Sequence, residues 1–308
     1  MGGEGRNMPM LIVIEQLAVL YIFMALGYAF GKIKKSNSEH GGLLSFIIVN
    51  LCLPSKIFNS FSKNFTVPYI KENYKLILLG FGLLVLLVAF SFFAAKLLTK
   101  NPYERRIYRY SLTISNNAYI GYVLVEEALG LSGLTSMICF SIPFVLYTYS
   151  LGYMLITGAE GSLKKCANPM TASIVLGIIV GLSGLQLPGV ISKVITTASA
   201  CAGPLGMILV GLTLSAFPIK ELLLDRKAYI VTALRLLVIP LMVYGLCRAF
   251  SLEYAMLYAI IVACMPCGLN TIIFPRLIGE DCTVGARLAL ISNALSVLTL
   301  PVWLYLIM

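Results

Sequence analysis

The chain has 308 residues, of which 59% are hydrophobic and only 12% are charged, and its mean hydropathy is +0.92. Soluble domains have about 45–50% apolar and about 25% charged residues, so this composition excludes a soluble globular protein and indicates an integral membrane protein. The net charge of +10 does not indicate nucleic-acid binding, because the Lys and Arg residues lie in short loops between apolar segments, where they determine topology.

Ten apolar segments of membrane-spanning length follow one another, and the loops between them are too short to form a soluble domain. The polar stretch 1–9 is short, and the apolar run behind it is too long for a signal peptide, so we interpret this run as the first span. The sequence therefore predicts an all-α integral membrane protein with ten transmembrane helices. Their predicted bounds are 10–31, 41–61, 74–98, 106–129, 134–157, 169–187, 190–217, 228–250, 253–278 and 282–308.

The loops that follow odd-numbered segments hold more than twice as many Lys and Arg residues as the loops on the other side. This bias predicts that they lie in the cytoplasm, with both termini outside the cytoplasmic (inner) membrane. Each half has five segments, an odd number, so homologous halves would insert in opposite orientations. The pair Leu53-Pro54 corresponds to Gly203-Pro204. The sequence thus predicts two inverted five-helix repeats, 1–157 and 169–308, joined by a short cytoplasmic linker, 158–168.

Two charged residues lie inside the first two segments. Glu15 is a functional candidate, because a carboxylate near hydrocarbon is expensive and could couple transport to protons. Its shallow position favours the other interpretation, an interfacial carboxylate that faces water. Lys56 follows Pro54 and is also open to two interpretations. Its ammonium either neutralises an anionic substrate or extends to the outer interface along its apolar stem.

The fourth and ninth segments are interrupted in the middle. Residues 115–121 read SNNAYIG, and residues 265–271 read MPCGLNT. An interrupted spanning helix exposes backbone groups that lipid cannot satisfy, so such a break is tolerated only inside protein or beside a wet cavity. A pair of interrupted segments at corresponding positions of two halves indicates the binding site of a secondary transporter.

Asn117 and Asn270 are the first candidates for substrate contact. Each amide offers donors and an acceptor without a buried charge, and the N-terminus of each new half-helix suits a carboxylate. The alternative is that both amides only cap the broken helices. Gly121 and Gly268 are expected to permit close backbone approach. The full predicted set of substrate-binding residues adds Asn116, Tyr119, Gly121, Gly268, Thr271, Pro54, Ser55, Lys56, Ile57 and Pro204.

Arg235 lies deep in the eighth segment, among apolar residues. It could bind a substrate carboxylate in a bidentate manner. The favoured interpretation is structural, in which Arg235 pairs with an acidic group and holds two helices together, because intramembrane Arg residues usually have fixed partners. Four acids that follow the broken segments are expected to be solvated loop residues: Glu126, Glu127, Glu280 and Asp281.

Neither a metal site nor a catalytic site is expected. The chain has a single His residue, His40, and the spacing Cys264-x-x-Cys267 falls in an apolar segment without a second pair. These features do not fit a zinc site. There is also no Ser-His-Asp set and no phosphate-binding Gly loop. We therefore expect no cofactor, no metal and no enzymatic activity.

Several of these segments resemble one known family. Residues 263–271 (ACMPCGLNT), 279–281 (GED) and 292–303 (SNALSVLTLPVW) are similar to the C-terminal signature of the auxin efflux carrier family. Residues 51–54 (LCLP), 116–121 (NNAYIG) and 203–214 (GPLGMILVGLTL) agree with it in order. The resemblance covers nearly the whole chain. This family includes plant PIN-type carriers and bacterial malonate-type carriers.

The resemblance implies ten helices in two inverted repeats, with the fourth and ninth helices broken and crossing near the bilayer midplane. It also implies elevator-like transport of small organic anions, such as auxin-like or malonate-like carboxylates, and often a homodimer. Two features depart from the family pattern. The loop 158–168 is shorter than in many plant members, and the first crossing segment lacks the proline that Pro266 supplies in the second.

Two other functions remain open at this stage. A sodium-coupled symporter of bile-acid-carrier-like architecture would use unwound carbonyls and carboxylates as Na⁺ ligands, but the predicted crossing is poor in acids. A non-transporting membrane sensor would need a signalling partner, since the chain has no room for a signalling domain. The predicted partners are a small organic anion and the lipid bilayer, with no nucleic acid.

Overall fold

The computed structural model describes residues 10–33, 38–158, 169–216, 218 and 223–307. Most of the predicted linker 158–168 lies outside these residues, as do stretch 1–9 and Met308. Within the described residues, all regular secondary structure is helical apart from one isolated β-bridge. The prediction of an all-α protein is therefore confirmed for this part of the chain.

The helices of the first half are α1 (Met10–Ile33), α2 (Ser38–Ile47), α3 (Leu53–Asn64), α4 (Val67–Leu98), α5 (Pro102–Thr113), α6 (Tyr122–Tyr147) and α7 (Tyr153–Thr157). Those of the second half are α8 (Pro169–Ser183), α9 (Gly189–Ala200), α10 (Ala202–Ser215), α11 (Arg226–Ala233), α12 (Ile239–Ala249), α13 (Glu253–Cys264), α14 (Asn270–Leu277) and α15 (Thr283–Ile307). Four π-helical segments adjoin them, at Ile48–Cys52, Asn117–Gly121, Thr148–Gly152 and Leu234–Val238. Gly130, at a φ of 67°, breaks α6.

Helices in the described residues are long and apolar enough to cross a bilayer. Six qualify by length and composition, namely Gly41–Asn64, Val67–Leu98, Ser132–Thr157, Gly189–Ser215, Arg226–Ala249 and Thr283–Ile307. Shorter apolar helices cover Ala18–Ile33, Pro169–Ser183 and Glu253–Cys264. Large apolar side chains such as Leu97 (87% exposed) and Leu298 (70% exposed) cover their outer faces. The chain is therefore a multi-pass integral membrane protein; the count of ten spans stays a prediction.

Two helices begin earlier than hydropathy predicts. α4 begins at Val67 rather than at 74, because Thr66 caps it by accepting a hydrogen bond from the Tyr69 N–H. α5 begins at Pro102 rather than at 106, because the Asn101 side chain accepts from two backbone N–H groups. In both cases polar first turns extend the helix beyond its apolar core.

Prolines explain where three of the helices deviate. A proline has no N–H, so the carbonyl four residues before it has no intrahelical donor. The π-helical segments Ile48–Cys52 and Leu234–Val238 lie next to Pro54 and Pro240, and α9 ends at Ala200, four residues before Pro204. The predicted interruptions at Pro54 and Pro204 are thus a widened helix turn in one case and a helix break in the other.

The helices pack in two groups. In one group α1 lies along α10, and α3 lies along α8 and α9. In the other group α4 packs against α5 and α6, α12 against α13, and α11 against α15. Fewer contacts join the groups, for example between α1 and α15. The interrupted segments, Ile114–Asn116 and Met265–Leu269, belong to the second group.

Candidate functional site

The two interrupted segments cross and hydrogen-bond to each other. α5 ends at Thr113 and α13 ends at Cys264, after which Ile114 and Met265 adopt extended backbone angles. Ser115 and Cys267 form the antiparallel bridge, and the Asn116 N–H donates to the Pro266 carbonyl oxygen at 2.8 Å. Each segment therefore satisfies backbone groups that the other helix break exposes.

New helices begin directly after the crossing, at Asn117 and Asn270. The first N–H groups of a helix have no intrahelical partner, and this end carries about half a positive charge. A small cavity of about 50 Å³ lies beside both N-termini, which is room for only a few water molecules. Its lining includes Ser115, Asn116, Asn117 and Ala118 from the first crossing segment and Gly268, Leu269 and Asn270 from the second.

The three asparagines of the crossing differ in their partners. The Asn117 amide donates to Ser141 Oγ at 3.0 Å, and the Asn270 amide donates to the Tyr110 hydroxyl at 2.9 Å. The Asn117 oxygen and both polar atoms of the Asn116 amide are buried without a partner. A buried polar atom left unsatisfied costs about 1–3 kcal/mol. Unpaired amide atoms beside a cavity therefore suit a bound polar ligand or water.

The remaining residues predicted at the crossing support its geometry. A Cβ at Gly268 would press against the Ser115 carbonyl oxygen at 3.3 Å, and a Cβ at Gly121 would overlap the Asn117 amide oxygen. Both glycines thus permit close approach, as the sequence analysis expects. Thr271 is buried, and its hydroxyl donates to the Gly268 carbonyl oxygen. The Tyr119 side chain lies outside the described part of the structure.

The residues around the two prolines do not line this cavity. Pro54 and Ile57 are buried in α3, Ser55 is half-buried there, and Pro204 is half-buried in α10. Lys56 is only 6% exposed, so it does not extend to the interface, and that interpretation is wrong. The Glu126 carboxylate interacts electrostatically with the Lys56 ammonium.

Glu15 lies in the second turn of α1, and its side chain is exposed. This placement agrees with the interfacial interpretation. The four acids after the broken segments are more varied than expected. Glu280 pairs with Arg106 at 3.6 Å and has one buried oxygen without a partner, and Asp281 accepts from the Thr283 N–H. Glu126 is half-buried, and Glu127 is exposed.

Arg235 is fully buried, with 0% exposure. Its guanidinium donates to the carbonyl oxygens of Leu112 at 3.0 Å, Val262 at 2.6 Å and Met265 at 3.1 Å. The favoured interpretation is confirmed in that Arg235 connects both broken helices. The expected partner is wrong, because the printed ion pairs of the described residues do not include Arg235. Main-chain carbonyls take the place of the acid.

The sequence analysis missed part of the cavity. Its outer wall comes from Tyr122 of α6, from Ser141, Phe144 and Val145, and from Thr148 and Tyr149. Ser141 and Thr148 are polar residues in an apolar segment, and this is the signal that could have identified them. Tyr110 carries a similar signal, because it precedes the first interruption.

Comparisons with known proteins agree with this arrangement. The sequence profile described as membrane transport protein matches residues 12–166 and 159–304. An uncharacterized transporter of Methanothermobacter thermautotrophicus is 26% identical over 308 residues, which is 94% of this chain and 96% of the relative. The uncharacterized transporter MJ1031 of Methanocaldococcus jannaschii is 26% identical over 311 residues, 95% of this chain and 98% of the relative. The chain therefore belongs to the membrane transport protein family, which is the auxin efflux carrier family that its motifs resemble.

Proposed function

We propose that this protein is a secondary active transporter that moves a small organic anion across the cytoplasmic membrane. The observation that carries the proposal is the crossing of two broken helices whose N-termini and asparagine amides line one cavity. In transporters built this way, the positive ends of half-helices bind the anionic group of the substrate. Membership of a transport family supports the same conclusion.

The chemistry of the cavity favours a carboxylate. None of the side chains that line it carries a charge, so the two helix N-termini supply the positive potential. The unpaired Asn116 amide can donate to carboxylate oxygens, and hydroxyl groups of Ser141 and Thr148 lie along the same wall. In the described conformation the cavity is too small for a diacid, so binding requires the surrounding helices to move.

The packing of the helices supports an elevator mechanism acting on two inverted repeats. α1, the first helix of repeat 1–157, lies along α10 in the second repeat, while α8, the first helix of repeat 169–308, lies along α3. This exchange of partners is what a pseudo-two-fold axis in the membrane plane produces. The group of α1, α3, α8 and α10 would stay fixed while the group that holds the crossing moves.

Ion pairs at one end of the molecule support the proposed topology. Lys227 pairs with Glu104 at 2.8 Å, and Arg287 pairs with Asp225 at 3.1 Å. These contacts join the loops after the third, seventh and ninth predicted segments, so these loops lie on the same side. The positive-inside bias assigns that side to the cytoplasm. The proposed homodimer rests on the family resemblance alone.

Asn116 and Asn270 test the site directly. Purified protein in liposomes would be placed on a solid-supported membrane, and charge movement would be measured with malonate, other small carboxylates, aromatic acids and amino acids, with and without Na⁺ and across pH. We expect a saturable current for one class of carboxylate. Replacing Asn116 or Asn270 with Ala should reduce this current by at least tenfold, because each change removes an amide beside the substrate.

The control is Asn73→Ala, since the Asn73 amide bonds only to the Tyr69 carbonyl of its own helix. It should transport like the wild type. Full transport by both crossing variants would refute the site. If no compound gives a current, uptake of labelled carboxylates would test electroneutral exchange. Absence of that flux as well would favour the sensor over the transporter.

A further inference from the structure

The strongest buried charge in the described structure lies outside the cavity, on the other side of the crossing. Arg235 sits in the π-helical segment Leu234–Val238 between α11 and α12, and it does not line the cavity. The nitrogen atoms Nε, Nη1 and Nη2 of its guanidinium each donate to a different main-chain carbonyl. We call these three acceptors, the carbonyl oxygens of Leu112, Val262 and Met265, the carbonyl cluster.

The carbonyl cluster belongs to the C-terminal ends of the two half-helices. Leu112 lies in the last turn of α5, Val262 lies in the last turn of α13, and Met265 follows α13 directly. The last four carbonyls of a helix have no intrahelical partner, and each helix end carries about half a negative charge. Two such ends therefore present about one negative charge, which matches the single positive charge of Arg235.

Carbonyl oxygens at the ends of broken helices are the groups that coordinate coupling cations in crossed-helix transporters. We propose that Arg235 is the resident cation of this crossing: its guanidinium fills a main-chain site suited to a monovalent cation and takes the place of a metal coupling ion. A tethered guanidinium with three fixed donors cannot dissociate, so this site does not exchange Na⁺.

This inference has a consequence for the choice between proton or potential coupling and sodium coupling. The consequence for coupling rests on the proposed transport function, whereas the occupancy of the site does not require any transport. With the carbonyl cluster filled by Arg235, a coupling sodium ion has no place at the C-terminal half-helix ends. The substrate then meets only the opposite, N-terminal ends, beside Asn117 and Asn270.

Removing the side chain should leave a vacant cation site, which can be tested without a substrate. Purified Arg235→Ala would be unfolded thermally in detergent with millimolar guanidinium chloride, with urea, with NaCl or with choline chloride. Urea has the shape of guanidinium but no charge. We expect guanidinium to raise the Tm of this variant by a few degrees in a saturable manner and urea to leave it unchanged, because a ligand of the folded state stabilises it by mass action.

The matched control is Leu236→Ala, which removes a neighbouring side chain that is 1% exposed but makes no contact with the carbonyl cluster. It should respond to neither compound, and the Tm of the wild type should not change when Na⁺ replaces choline. An equal response of Arg235→Ala to urea and guanidinium would overturn the proposal. So would no response of this variant to any cation, or stabilisation of the wild type by Na⁺.

If Arg235→Ala does not fold, two milder variants decide the question. Arg235→Lys keeps the charge and loses the planar fork, while Arg235→Gln keeps a donor and loses the charge. The proposal expects Arg235→Lys to have the higher Tm. A Tm of Arg235→Gln equal to or above that of Arg235→Lys would show that the site needs hydrogen bonds and not a cation. A transport assay that gives no current would leave all these Tm results unchanged.

Discussion

At the scale of single residues, backbone groups freed by breaks and prolines determine where long polar side chains go. Pro240 cannot donate to the Leu236 carbonyl four residues before it. The indole N–H of Trp303 on α15 donates to this carbonyl instead, at 2.8 Å. The contact is buried and joins positions 67 residues apart in the chain. The single Trp residue of the protein thus repairs a defect in another helix, as Arg235 does at the crossing.

Trp303→Phe should lower the free energy of unfolding by about 1–3 kcal/mol, because it leaves the buried Leu236 carbonyl without a donor. Pro240→Ala supplies a backbone N–H at the required position, so the cost of Trp303→Phe should be smaller in that background. A double-mutant cycle measured by unfolding in detergent isolates this coupling from the change in side-chain size. Additive effects of the two substitutions would contradict the explanation.

The sequence predicts the positions of the functional amides but not their partners. Asn117 and Asn270 could be identified because an amide beside a helix break has few other roles in an apolar segment. Their hydrogen-bond partners Ser141 and Tyr110 are 24 and 160 residues away. No local pattern specifies such contacts. The same holds for Arg235, whose partners are carbonyls that any residue type would provide.

At the scale of helices, small residues decide which pairs can pack closely. α1 and α10 approach so closely that a Cβ at Gly211 would overlap the Met24 carbonyl oxygen. Helix association in lipid depends on such contacts, because burial of apolar surface provides little driving force there. Hydropathy predicts the apolar core of each helix but not its partner, and it places the starts of α4 and α5 too late, because capping residues extend them into polar sequence.

Gly211→Ala should reduce stability by about 1–3 kcal/mol, because the added methyl group forces α1 and α10 apart. Gly245 provides a matched control within α12, since no heavy atom outside its own helix lies within 4 Å of the position of its Cβ. Gly245→Ala should be neutral or slightly stabilising, because Ala has the higher helix propensity. Thermal unfolding in detergent measures both. A loss of stability for Gly245→Ala equal to that for Gly211→Ala would exclude close packing as the cause.

At the scale of the whole molecule, polar contacts connect the two groups of helices that the elevator mechanism would move apart. The Tyr21 hydroxyl on α1 donates to the Asn293 carbonyl oxygen at 2.9 Å and lies 2.5 Å from Ser296 Oγ on α15. Arg276 on α14 donates to Thr213 on α10 at 3.5 Å. These contacts belong to one arrangement of the groups. A sliding motion must break them, so they stabilise the described conformation against its alternative.

Tyr21→Phe should therefore increase the population of the alternative conformation about fivefold, because one hydrogen bond contributes about 1 kcal/mol. Spin labels on noncanonical amino acids at Val19 and Leu298 would report the distance between α1 and α15 without interference from the eight native Cys residues. Tyr305→Phe is the control, because Tyr305 is 74% exposed on α15. We expect a second distance to gain population in Tyr21→Phe alone. One unchanged distance in all three proteins would show that α1 and α15 move as a single body, which an elevator built from these two groups does not allow.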